Sequence, residues 1–258
     1  MTPQTAAAAR TTPSKRVPMD AERKIALVAG ALYLLTFIAI GTLTLYMPVL
    51  KDPAYILSSG SDTGLRWGAL IEVIVALAGI GTAITLYPVV KRQNETFALG
   101  FVTSRVIEGA MILTGVVSLL SLASLHQVGA AVGADSASLR IAGASFVGSY
   151  NAAFLIGQTL MPATNALLLG TLMYRSGLVP RIIPTLGLIG GPLMISSVIG
   201  QIIGINEQIS VWSGIALLPI FVWEFSLGLW LVVKGFKASP VLATESRAQT
   251  SAPVFAAA

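Results

Sequence analysis

The chain has 258 residues, 55% hydrophobic and only 10% charged, with a formal net charge of +5. Water-soluble domains carry about 25% charged residues, so this much apolar surface must meet a second solvent, and an integral membrane protein is expected. There is no cysteine and one histidine, His126. Their scarcity excludes disulfide scaffolds, thiolate metal sites, iron–sulfur clusters and paired-histidine haem, and no cofactor or metal is expected.

Residues 1–19 are Thr, Pro and Ala with scattered Arg10, Lys15 and Arg16. Such a segment buries too little to offset the entropy of ordering, and it is read as a disordered tail. Residues 238–258 read the same way. Between them, over 20–237, lie six apolar runs at 25–47, 67–90, 99–122, 146–174, 182–205 and 212–233. Each reaches the roughly 20 residues that cross about 30 Å of hydrocarbon. Lipid offers backbone polar groups no partner, so each run must be a helix. The fold class is therefore all-α, a six-helix transmembrane bundle. The first run is too long for a signal peptide and lacks a small-residue cleavage site, so it reads as an uncleaved anchor.

Twelve Lys and Arg flank one side of these runs, including Arg23, Lys91, Arg92, Arg175, Arg181 and Lys234; only Lys51, Arg66 and Arg140 flank the other. This bias places both termini in the cytoplasm of a cell membrane. Basic residues used in this way argue against nucleic acid as a partner and for the lipid bilayer. The external connections are 51–66, rich in turn formers, and 126–145, with a short interfacial helix expected near 136–142. His126 is expected to be solvated in the second connection. Trp67, Trp212, Tyr46 and Tyr87 sit near run ends, as an aromatic belt requires.

Four charged residues fall inside the runs: Glu72, Arg105, Glu108 and Glu224. Each costs about 2.5–3.5 kcal/mol at a helix centre on insertion scales. Arg105 and Glu108 are three residues apart, share a helix face and can pair, either as a packing lock or as part of a pathway. Glu72 heads a row of small residues, Ala76, Gly79 and Ala83, so it is expected to face protein. Gly228 accompanies Glu224 in the same way. Three carboxylates against one guanidinium leave an excess negative charge in low dielectric, and at least one of Glu72 and Glu224 is expected to be neutral at pH 7.

The fourth run carries Asn151, Gln158 and Asn165 at seven-residue spacing, which drifts only about 20° per step and lines one helix face. The stripe serves either as interhelical glue or as the wall of a hydrated path. Pro162, Pro192 and Pro219 interrupt the last three helices, a feature of transporter sites and also of ordinary membrane helices. Ser196, Gly200 and Gly204 make a small-residue packing face on the fifth run.

No G-x-S-x-G, paired-histidine or Walker A pattern is present, and Ser213 has no base beside it, so no enzyme is expected.

The run Asn165-Ala166-Leu167-Leu168-Leu169-Gly170 continues through Tyr174-Arg175-Ser176-Gly177-Leu178-Val179-Pro180-Arg181 to Leu186-Gly187-Leu188-Ile189-Gly190-Gly191-Pro192. Together with Arg105-Val106-Ile107-Glu108 and Tyr46-Met47-Pro48-Val49-Leu50, it resembles the bacterial membrane family catalogued as domain of unknown function 4386. The resemblance covers about residues 20 to 237. It implies an integral membrane protein of bacterial type and brings no established activity.

The residues support small-solute or proton-linked transport through the bundle as the leading reading. A non-transporting membrane scaffold or regulatory partner protein is the alternative.

Overall fold

A computed structural model describes residues 20–131 and 133–242. The tail expected over 1–19, and all of the second tail beyond Leu242, lie outside them. The described residues form six long helices with short connections and no strand. We label the helices α1 (Ala21–Lys51), α2 (Thr63–Val90), α3 (Glu95–Ala131), α4 (Ser136–Ser176), α5 (Ile182–Ile202) and α6 (Val211–Val233).

All six are long and apolar enough to cross a membrane. Their outer surface fits that solvent: Leu77, Ile84, Val117 and Leu218 are each 60–62% exposed. Scattered apolar residues are ordinary on soluble proteins, but a surface clad in them is not. This is a multi-pass membrane protein.

Each helix packs on its neighbours in sequence, and α6 closes the ring by packing on α1. Glycines permit that last contact: a Cβ on Gly30 would lie 2.7 Å from the Gly228 carbonyl oxygen. A larger residue at either position would force α1 and α6 apart. The first and last helices are also tied at their ends. Arg23 donates to the Leu231 and Val232 carbonyl oxygens at 2.8 and 2.6 Å, capping the carbonyl end of α6. We call this the terminal end of the bundle and the opposite one the far end.

Two helices are irregular. A 3-10 turn at Phe37–Ala39 bends α1, flanked by Thr36 and Thr42 hydroxyls donating to backbone carbonyls three residues back, a habit that competes with helical bonding. In α4 the segment Leu155–Leu160 is a π turn. Pro162 has no N–H for the Gln158 carbonyl, and the widened turn just before it absorbs the mismatch. Pro192 and Pro219 leave α5 and α6 unbroken.

Several expectations need correction. Helices α3 and α4 run further than their apolar cores, so the connection between them shrinks to a few residues, and 136–142 is the first part of α4 instead of a separate interfacial helix. The tail does not begin at Ala238. Ser239 is buried with its hydroxyl on the Ser176 carbonyl at 2.5 Å, and Leu242 packs on the core. Ser196 is exposed and Gly204 lies in a turn at φ +77°, so they form no packing face on α5; Gly187, Gly190 and Gly191 do that work against Trp223, Ile220 and Leu167.

Candidate functional site

The ionic and polar side chains inside the ring gather in two layers. Nearer the terminal end, Arg105 projects from α3 and is 2% exposed. Its Nη1 donates to both Glu108 carboxylate oxygens at 3.1 Å, and its Nη2 donates to Glu224 Oε1 of α6 at 2.7 Å. Asn165 of α4 donates to Glu108 Oε2 at 2.5 Å. The guanidinium carbon lies 5.0 Å from the Tyr33 ring centroid of α1, a cation–π contact in a dry setting. A Cβ on Gly79 of α2 would stand 3.9 Å from Nη1. One cation thus binds two carboxylates and joins α3 to α1 and α6. Around it Phe101, Trp223, Leu86 and Leu169 are fully buried and seal the terminal half of the ring.

About two helical turns toward the far end, Glu72 projects from α2 and is 1% exposed. Its carboxyl accepts from Gln158 Nε2 at 3.1 Å, Tyr46 Oη at 3.3 Å and Tyr150 Oη at 3.4 Å. All three donors are neutral. The tyrosine rings meet edge to face, their centroids 5.5 Å apart. Ala76, Gly79 and Ala83 are buried below Glu72, as the small-residue row requires. Gln158 sits within the π turn of α4.

The four charged residues expected inside the helices are therefore all turned inward, but into two separate sites. The amides divide as well. Gln158 serves Glu72 and Asn165 serves Glu108, whereas Asn151 is exposed and touches neither acid. A π turn spends an extra residue, so seven-residue spacing across it no longer returns to one face. The continuous stripe is broken there.

Sequence reasoning misses the tyrosines. Tyr46 reads as part of an aromatic belt, yet it is fully buried; the helix runs on to Lys51, which places Tyr46 below the interface. A phenol deep in an apolar run requires a partner, and that is the available signal for Tyr46, Tyr150 and Tyr33 alike.

At the far end, Asp62 ties the first connection to α3. It accepts from Tyr55 Oη at 2.8 Å and Gln127 Nε2 at 3.2 Å, and His126 Nδ1 lies 2.8 Å away. The other ring nitrogen of His126 is 2.7 Å from the Ser58 carbonyl oxygen. His126 is thus a helical, half-buried clasp residue and not the solvated loop histidine expected. Burial works against the Asp62 charge, but the hydrogen bonds from Tyr55, His126 and Gln127 outweigh it and hold the carboxyl below the usual range. Burial and the neighbouring Asp62 raise the Tyr55 phenol.

Against Tyr55 of this clasp lies a cavity of about 260 Å³. Val49, Asp52, Leu122, Val147, Gly148 and Asn151 are among its walls. Tyr46 lies three residues before Val49, and Tyr150 three after Val147, so the tyrosine pair is about one helical turn from these walls without lining the cavity. Ser213 is bonded to neutral groups: its hydroxyl donates to the Glu207 carbonyl at 2.8 Å and meets Ser197 and Asn206 at 3.0 and 3.1 Å. No cluster of metal-ligating side chains occurs among the described residues.

A family model described as Domain of unknown function (DUF4386) matches residues 28–235. No curated protein and no solved structure gives a match. The chain belongs to that family.

Proposed function

We propose that this member of the family moves a small solute across a cell membrane in a proton-linked cycle, with Glu72 as the proton-carrying group and both termini in the cytoplasm. The observation that carries the reading is Glu72 itself: a carboxyl buried within the ring whose three partners are all neutral. An intramembrane acid of this kind can gain and lose charge without dismantling an ion pair. The neighbouring π turn and Pro162 give α4 a place to flex at the same level. By sequence alone Glu224, near the middle of its span, is the acid to test, but Glu224 shares Arg105 with Glu108 and is committed to a structural triad. Glu72 takes its place.

Sealed proteoliposomes with an internal pH dye test the proposal. Wild-type protein is expected to dissipate an imposed pH gradient in the presence of substrate, and Glu72→Gln to abolish that flux. Unchanged flux in Glu72→Gln ends the reading. Orientation is tested separately. Lys51, Arg66 and Arg140 at the far end are outnumbered by Arg23, Lys24, Lys91, Arg175, Arg181 and Lys234 at the terminal end, which favours a cytoplasmic terminal end. Because the chain has no cysteine, Ser59→Cys and Lys91→Cys can each be labelled uniquely. An impermeant thiol reagent on intact cells is expected to reach position 59 and to miss position 91.

The packed Arg105 triad favours a second reading, a non-transporting scaffold or regulatory partner, since its polar groups are spent on helix contacts. A stable co-purifying protein together with proton-tight vesicles would support it. The neutral surroundings of the Ser213 hydroxyl support a non-enzymatic role in either case.

A further inference from the structure

The far-end cavity has a composition that the proton site alone does not explain. Its walls are apolar at Val49, Leu122 and Val147 and open at Gly148, where an added Cβ would meet nothing within 4 Å. Its one ionic side chain is Asp52, exposed at the rim, with Asn151 as the amide that joins the apolar walls. No basic side chain lines it. At about 260 Å³ it falls just under the roughly 300–1,000 Å³ that hold drug-sized ligands, so its occupant is a smaller molecule. An apolar body suits the walls, and a positive charge suits Asp52. Tyr46 and Tyr150, about one helical turn from the walls at Val49 and Val147, are hydrogen-bonded to Glu72 and packed on each other. We infer that the cavity is the loading site for a small organic monocation with an apolar body, bound at Asp52 about one helical turn from the tyrosine pair that holds Glu72. The passage of the cation beyond this site rests on the transport reading, while binding itself does not.

The probe is phenethylammonium, titrated calorimetrically into full-length protein in lipid nanodiscs against empty nanodiscs. The anion 3-phenylpropionate serves as the comparison of like shape. The cation is expected to bind at least tenfold more tightly than the anion. Gly148→Leu, which adds bulk at the cavity wall, and Asp52→Asn, at its exposed acid, are each expected to weaken binding at least tenfold. The rim variant guards against a Gly148→Leu protein that does not fold. Equal binding of cation and anion, or wild-type binding in Asp52→Asn, overturns the inference. Saturable, Asp52-dependent binding with proton-tight vesicles keeps the loading site and removes the transport reading. Substrate-dependent proton flux without phenethylammonium binding does the reverse.

Discussion

The two buried acid sites use the same side-chain chemistry to opposite ends. Around Arg105 every carboxylate is matched: Glu108 takes two hydrogen bonds from Nη1 and one from Asn165, and Glu224 takes Nη2. Around Glu72 there are phenols and an amide, groups that can serve either protonation state of a carboxyl. Such a cluster fixes helix positions, and losing its one guanidinium leaves two carboxylates in low dielectric without a cation. A carboxyl among neutral donors is free to change. On the proposed reading one layer serves architecture and the other chemistry, about 10 Å apart along the bundle at helical rise.

Replacing the hub of each layer sets the contrast at its widest. Arg105→Met strands Glu108 and Glu224 beside each other, and losing one partner of a buried pair costs about 3–5 kcal/mol. A sharp fall in the unfolding midpoint, or failure to accumulate in the membrane, is expected. Glu72→Gln keeps shape and hydrogen-bonding capacity and is expected to shift stability by less than about 1 kcal/mol, while flux disappears. Should the two variants prove equally destabilised, the division of labour is wrong.

The amides sharpen it further. Gln158→Leu and Asn165→Leu each remove one interhelical hydrogen bond, worth about 0.6–2 kcal/mol in a membrane. Comparable stability losses are expected, with the transport rate altered strongly only in Gln158→Leu, whose partner is Glu72. A matching rate loss in Asn165→Leu would couple the layers.

The smallest effect lies outside both. Asp62 has its carboxyl lowered in the folded state, so the clasp stabilises the protein fully above the ordinary carboxylate value of about 4. That contribution is lost as pH falls through the lowered value. Asp62→Asn is expected to lower the neutral plateau of a stability–pH profile and to flatten its acid limb. A persisting acid limb would place the titrating group elsewhere.

Much of this is legible in the amino-acid sequence. The six spans follow from hydropathy and length, and the Arg105–Glu108 pair follows from helical periodicity, because both signals are local. The small-residue row puts Glu72 inward for the same reason. Glu224 as the third member of the triad is not legible, since it joins across 119 residues of sequence. Nor is the break in the amide row. Residues 151, 158 and 165 keep perfect seven-residue spacing on paper, and only the π turn ahead of Pro162 removes Asn151 from the face. Tyr46 misleads because a tyrosine near the end of an apolar run reads as interfacial until the true end of the helix is known.

The separation between Arg105 and Glu224 also has a meaning in time. Arg105 and Glu108 leave the ribosome three residues apart and enter the bilayer as a nearly neutral couple on a single helix. Glu224 is synthesised 119 residues later, some 6–24 s at about 5–20 residues per second. Throughout that interval the nascent bundle is an open arc holding a guanidinium with unused donors, and the arrival of the final helix closes the circle. A chain truncated ahead of Glu224 would strand that donor in the bilayer, a defect that membrane quality control can recognise.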